Sequence, residues 1–290
     1  DMTRSDSWTR VGSVAPAALR DATIQLHWAA QVLAAAGQTF AEAQDDDSHL
    51  AMMWDADRGE LVGAPFGGAY PFRVALHIQD ITLRFLDRTA EPLGSLPLAG
   101  KTMADAYEWL QTGLANYMGR LTQIDKPGWE MPEHAVGRGE PFSADMDAEL
   151  STLACLYESA AGILTPLADG HAHGSPVRCW PHHFDIATLL TVASDESGNA
   201  TKTVGVGMAP MGGGYEGWYW YVSPWPFPDA GGLPELEGPG AWHTEGWVGA
   251  VLTGEDIVEA DDAFRGAVVT KFVDYSVSTS VEVLNRTTSP

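Results

Sequence analysis

The residues best able to do chemistry crowd into one stretch, SPVRCWPHHFDIATLL, Ser175 to Leu190. His182 and His183 are adjacent and Asp185 follows two positions on. His171 and His173 stand just upstream in GHAHG. On a β-strand successive side chains point to opposite faces, so His183 would share a face with Asp185 while His182 would side with Phe184. Downstream, AWHTEGW spaces His243 and Glu245 in the same way. Two such strands, each offering one imidazole and one carboxylate, could assemble the histidine–carboxylate set that zinc or non-haem iron uses, with His173 as a further ligand from its loop. Without a metal, His183 oriented by Asp185 would be a general base, and these two are the candidate catalytic residues. No His-Glu-x-x-His and no Gly-x-Ser-x-Gly occurs, so neither a zincin nor a serine hydrolase is signalled.

A second concentration is aromatic. GWYWYVSPWPF places Trp218, Trp220 and Val222 on one strand face and Tyr219 and Tyr221 on the other. Buried on both sides, such a strand is core; open on one side, its rings make a stacking wall for a flat or sugar-like ligand. Pro224, Pro226 and Pro228 suit a rigid lip beyond it. The glycine-rich GVGMAPMGGGYEG opens like a dinucleotide fingerprint at Gly205 and Gly207, but Pro210 interrupts it and no helix pattern follows, so a loop between strands is expected.

These residues sit in a chain of 290 with 39 acidic and 16 basic side chains, a net charge of −23. Only four of the bases are lysine: Lys101, Lys126, Lys202 and Lys271. A field of that sign repels phosphate, so neither nucleic acid nor an anionic membrane surface is an expected partner. It matches the solvated acidic surface expected in a salt-tolerant or high-GC bacterium. The first residues show no basic segment followed by an apolar one, and no apolar run reaches membrane-spanning length, so the chain reads as cytoplasmic. Cys155 and Cys179 do not make a disulfide framework and read as small buried hydrophobes.

Periodicity predicts four helices, over Ala17 to Ala36, Thr102 to Met118, Asp147 to Leu167 and Asp262 to about Leu284. The second opens on a Thr102–Asp105 cap. Strands are expected at His49 to Asp55, Leu61 to Gly63, Arg73 to Asp87, Val177 to Val192, Lys202 to Met208, Gly217 to Val222 and Trp242 to Leu252. The Pro- and Gly-rich segment 124–144 reads as a connector between an N-terminal half (1–123) and a C-terminal half (145–290), packed as one compact unit. Both halves run helix, strands, helix, which suggests a duplicated α-β-β-α unit in an α+β fold of antiparallel strands backed by helices.

Ser175, Pro176, Val177, Phe184, Asp185 and Ala187, followed by Tyr219, Tyr221, Pro224 and Pro226, resemble a bacterial family with a Ser-Pro-Val-(six residues)-Phe-Asp-Leu-Ala signature and a downstream Tyr-x-Tyr-x-x-Pro-x-Pro. LHWAAQ (Leu26 to Gln31), DDSH and MADAYEWL fit its order of elements. The chain departs where His182 and His183 replace the family's Gly-Ser. The family carries no assigned reaction; the resemblance implies one continuous fold and a role for Asp185.

Two functions from different classes fit these residues. One is a small-molecule-binding protein, open to being an enzyme, with His183, Asp185, His243, Glu245 and His173 around a divalent zinc or iron and Trp218, Trp220, Tyr219 and Tyr221 against the ligand. The other is a non-catalytic interaction or homo-oligomerising protein in which the same residues are core.

Overall fold

The computed structural model describes residues 4–119 and 121–286. Helix α1 (Arg4–Val11) leads through a 3-10 turn at Pro16–Leu19 into α2 (Arg20–Phe40). Five strands follow: β1 (Met52–Asp55), β2 (Glu60–Gly63), β3 (Arg73–His77), β4 (Thr82–Leu86) and β5 (Pro92–Pro97). After α3 (Met103–Met118) comes a largely irregular segment and then α4 (Asp147–Gly170). The remainder is β6 (Arg178–Trp180), β7 (Asp185–Ser194), β8 (Ala200–Ala209), β9 (Tyr219–Trp225), β10 (Ala241–His243), β11 (Gly249–Thr253), short α5 (Gly254–Val258) and α6 (Arg265–Arg286). The fold is α+β with antiparallel strand pairs, as the periodicity predicts.

Two compact units divide the chain. The α2 unit is Leu19–Ala154 with Arg178–Phe184; the α6 unit holds the described residues of 1–18, 155–177 and 185–290. These differ from the expected halves, because the boundary falls inside α4 and segment 124–144 belongs to the α2 unit. The α2 unit runs α2, five strands and α3, with β6 joining from downstream; the α6 unit runs the end of α4, five strands, α5 and α6. In the α2 unit the strands pair in chain order from β1 to β5, with β6 on the far side of β1. In the α6 unit the order is β7-β8-β9-β11-β10.

Where the expected strands were long, turns divide them. Arg73 to Asp87 is a β3–β4 hairpin pairing Arg73 with Leu86 and His77 with Thr82, because Ile81 takes a positive φ of 46° and reverses the chain. Val177 to Val192 is interrupted at Pro181–Phe184, and Trp242 to Leu252 at 244–248. Helix α1, strand β5 and helix α5 carry no clear apolar period and escape the sequence pattern. By length and composition α4 passes the threshold of a membrane-crossing helix, yet half of that window is buried in the protein, as in a core helix.

The α2 unit is held by α2 against β2 and β3 and by α3 against α2 and β5. Helix α3 starts on a full capping box: Thr102 Oγ1 accepts from the Asp105 amide at 3.2 Å, while the Asp105 carboxylate accepts from the Thr102 amide at 2.8 Å. Mid-helix, Gly113 looks like a weakness. However, a Cβ there would lie 2.1 Å from the Phe85 ring, which stacks on Trp109 at 4.2 Å. The glycine makes room for a ring. We expect Gly113→Ala to destabilise by about 1–3 kcal/mol through overpacking, reversing the gain of roughly 1 kcal/mol that alanine brings to an exposed helix site. Urea unfolding followed by tryptophan fluorescence measures this; a higher midpoint would contradict it.

Candidate functional site

His182 and His183 do not sit on a strand. Pro181, His182, His183 and Phe184 form a turn, closed by the Phe184 amide donating to the Trp180 carbonyl at 2.7 Å, and Phe184 takes a left-handed φ of 60°. A bulky residue in that region costs on the order of 1–3 kcal/mol and persists only where its surroundings fix it. Here α2 supplies the fixing. His27 Nε2 lies 2.8 Å from the Pro181 carbonyl, and Gln31 Nε2 donates to the same oxygen at 2.8 Å and to the His27 carbonyl at 3.0 Å. Trp129 Nε1 donates to Gln31 Oε1 at 3.0 Å, and the His27 ring stacks flat on Phe184 at 5.3 Å. Because the carbonyl only accepts, His27 carries its proton on Nε2. Burial above all, with smaller contributions from the positive potentials of His183 and His182, pushes the His27 pKa from 6.5 down to about 4, against the Pro181 bond that raises it. The turn presents His182 and His183 outward, both exposed, with ring centroids 4.3 Å apart. His27 and Gln31 were legible only as part of LHWAAQ inside an expected helix, which does not say what they grip.

Asp185 opens β7, and from there strand alternation does govern. Asp185, Ala187 and Leu189 share a face with Gly205, Gly207 and Ala209 of β8, Tyr219, Tyr221 and Ser223 of β9, and His243 of β10. The opposite face carries Val206, Met208, Trp220, Val222, Ala250 and Leu252, all buried, on strands against which α6 packs. Trp218 and Trp220 are therefore core, each 1% exposed, and do not line the ligand wall expected of them.

Tyr219 and Tyr221 instead build a ring cluster on the first face. Tyr221 stands opposite Gly207, which stands opposite Ala187. With no Cβ at Gly207 (one would meet the Tyr221 hydroxyl at 2.6 Å), the ring reaches across β8 and donates to Asp185 Oδ2 at 2.5 Å. That is a short, charge-assisted bond. Tyr215 stacks obliquely on Tyr219 at 4.5 Å, and its hydroxyl lies 3.1 Å from His243 Nδ1. His243 Nε2 meets the Glu245 backbone carbonyl at 2.8 Å, which fixes the proton on Nε2 and leaves Nδ1 to accept from Tyr215. Trp247 stacks on His243 at 4.4 Å and donates to the Gly213 carbonyl at 3.1 Å. Burial first, then the Asp185 charge and Tyr215, pushes the Tyr219 hydroxyl above the ordinary phenol range; burial raises Tyr215 as well. Both stay protonated donors. Tyr215, Tyr221, His243 and Trp247 are half-exposed.

The expected metal set does not gather. His183 lies in a turn before the strand, so the shared strand face with Asp185 falls away. Glu245 lies in the turn after β10 and offers His243 its backbone rather than its carboxylate. Both His243 nitrogens are engaged, and His173 sits exposed in the 171–174 turn, where its carbonyl accepts from Thr191. Among the described residues no group of three or more His, Cys, Asp and Glu side chains is arranged to hold a metal.

Comparison with protein-family models, with curated proteins and with solved structures finds no match to this chain. The site's chemistry thus rests on its own geometry.

The neutral His27 makes stability depend on pH. Between pH 6.5 and about 4 the unfolded chain takes up a proton at His27 that the folded chain excludes, so stability is fully present above pH 6.5 and falls as the pH drops through that window. The loss approaches about 3 kcal/mol at its acid end. His27→Gln, which keeps a donor for Pro181, should flatten this part of the profile. Urea unfolding at pH 4.5, 5.5 and 7 tests it, and a variant profile parallel to wild type would refute the assignment.

Proposed function

We propose that the chain binds a small flat or sugar-like molecule, neutral or cationic, on the ring cluster of Tyr215, Tyr219, Tyr221, His243 and Trp247, with Asp185 orienting its polar edge. The observation that carries this is the Tyr221–Asp185 bond: a carboxylate and a protonated phenol at 2.5 Å, set among half-exposed rings. Rings supply apolar faces and a negative quadrupole, phenols supply donors, and the carboxylate favours positive charge. If the site carries chemistry, proton transfer through Tyr221 and Asp185 is what it offers.

Tyramine, adenosine and methyl glucoside, with benzoate as the anionic control, form a suitable probe panel for amide-shift titration. Tyramine or a neutral ring should perturb the 212–221 and 243–247 segments while benzoate does not. Tyr221→Phe should weaken binding about tenfold, and Asp185→Asn should remove any preference for the cation. No perturbation by any probe, or preference for benzoate, would sink this reading.

The alternative, an interaction or homo-oligomerisation protein, draws on Trp225 and Phe227 at the proline-rich lip. They are 54% and 44% exposed and meet edge to face at 4.9 Å. An exposed aromatic pair of this kind marks contact surfaces. Sedimentation velocity decides: self-association that disappears in Trp225→Ser supports it, and a monomer at the highest attainable concentration rejects it.

A further inference from the structure

On the helix-covered side of the α6 unit a half-open cavity of about 590 Å³ runs between α4 and α6, with Leu190 of β7 and Ser7 and Trp8 of α1 completing it. Its walls follow from spacing. Ser159, Gly162, Ile163, Pro166 and Gly170 recur along one stripe of α4, and Gly266, Thr270, Val273 and Val277 along one stripe of α6. Gly162, Gly170 and Gly266 carry no side chain to fill the space between the stripes, so a cavity remains where larger residues would pack.

Three polar groups of this lining lack an ordinary partner. The Ser7 and Ser159 hydroxyls are buried, with their residues 2% and 6% exposed, and neither has a hydrogen-bond partner among the described residues. Pro166, inside α4, carries no amide proton, so the Gly162 carbonyl loses its usual helical donor. A buried polar group left unpaired costs roughly 1–3 kcal/mol, which a bound molecule with matching donors recovers. The ionisable groups of the lining are Glu158, Asp274 and His171, with no lysine or arginine. Serine oxygens, a carbonyl and carboxylates all accept, so the complementary head group is one rich in donors. The remaining lining is apolar.

We propose that this cavity is a second binding site, independent of the ring cluster, for a small apolar molecule ending in an amine. The ammonium sits among Ser7, Ser159 and the Gly162 carbonyl, and the hydrocarbon body lies along Ile163, Val273 and Leu190.

Calorimetric titration of the full chain with octylamine, octanol and octanoate tests it. Octylamine should bind with a Kd below about 1 mM and octanoate at least about tenfold more weakly. Gly162→Leu fills the cavity, raises helix propensity and leaves the net charge unchanged, so it should abolish octylamine binding while a non-specific attraction to the acidic surface would survive. Ser159→Ala, which nearly keeps the volume and removes the hydroxyl, should weaken octylamine severalfold and leave octanol nearly unaffected; circular dichroism confirms that both variants fold. Octanoate binding as tightly as octylamine, or unchanged octylamine binding in either folded variant, overturns the proposal.

Discussion

Much of this structure depends on placing wide rings against backbone that carries no Cβ. The chain has 11 tryptophans, 9 phenylalanines and 8 tyrosines beside 31 glycines. Among the described residues a Cβ would come within 3 Å of a ring at seven glycines: Gly113 beneath Phe85, Gly137 beneath Trp28, Gly207 beneath Tyr221, Gly240 beneath Phe272, Gly249 beneath Trp247, Gly254 beneath Trp218 and Gly266 beneath Trp8. Ring-to-backbone packing of this kind buries large apolar area with few rotatable bonds. It also fixes where polar ends emerge, because a ring lying flat across a strand puts its hydroxyl one strand further on. The Tyr221–Asp185 bond is the direct product of Gly207.

This explains what was and was not legible in the sequence. Helix α3 could be read because its signals are local: Thr102 and Asp105 cap it, and Leu110 and Leu114 repeat on its buried face. Alternation in β9 was legible too, and it separates tryptophan from tyrosine correctly. Which face is covered was not legible, because that depends on α6, an element beginning some 40 residues downstream. Glycines read as loop punctuation turn out to be ring platforms, some of them inside regular elements. A glycine's purpose lies in its spatial neighbour, and one sequence does not name that neighbour.

The PHHF turn shows the same limit more sharply. Turns that need a left-handed residue usually spell it with glycine or asparagine. Here Phe184 takes that conformation, so nothing local announces the turn. The forces that hold it come from His27 and Gln31, 154 and 150 residues from Pro181 along the chain. Two side-chain donors converging on one carbonyl, with an aromatic stack above the strained residue, offset a local cost with distant contacts. Such an arrangement also demands a neutral imidazole: a second ring proton in that apolar setting would need an acceptor and a counter-charge.

Charge ties the two proposed binding surfaces of the α6 unit to the composition of the whole. With 39 acids against 16 bases, most sites on this chain are set in a negative field. Buried Arg265 and half-buried Arg84 are consumed structurally. Arg265, 7% exposed, donates to the carbonyls of Trp8, Thr9 and Val258 and pairs with Asp262 at 2.7 Å; Arg84 pairs with the fully buried Glu60. Such bonds neutralise guanidinium groups where desolvation would otherwise be costly. The ring cluster and the α4–α6 cavity contain no lysine or arginine in the residues that define them. Their polar atoms are carboxylates, phenols, serine hydroxyls, imidazoles and a carbonyl. An anion entering either place would find donors but no countercharge, within a field that opposes it. A cation would find acceptors, ring faces and a favourable field together. The selection against anions that composition imposes on the surface as a whole is thus repeated, side chain by side chain, at the ring cluster and at the α4–α6 cavity.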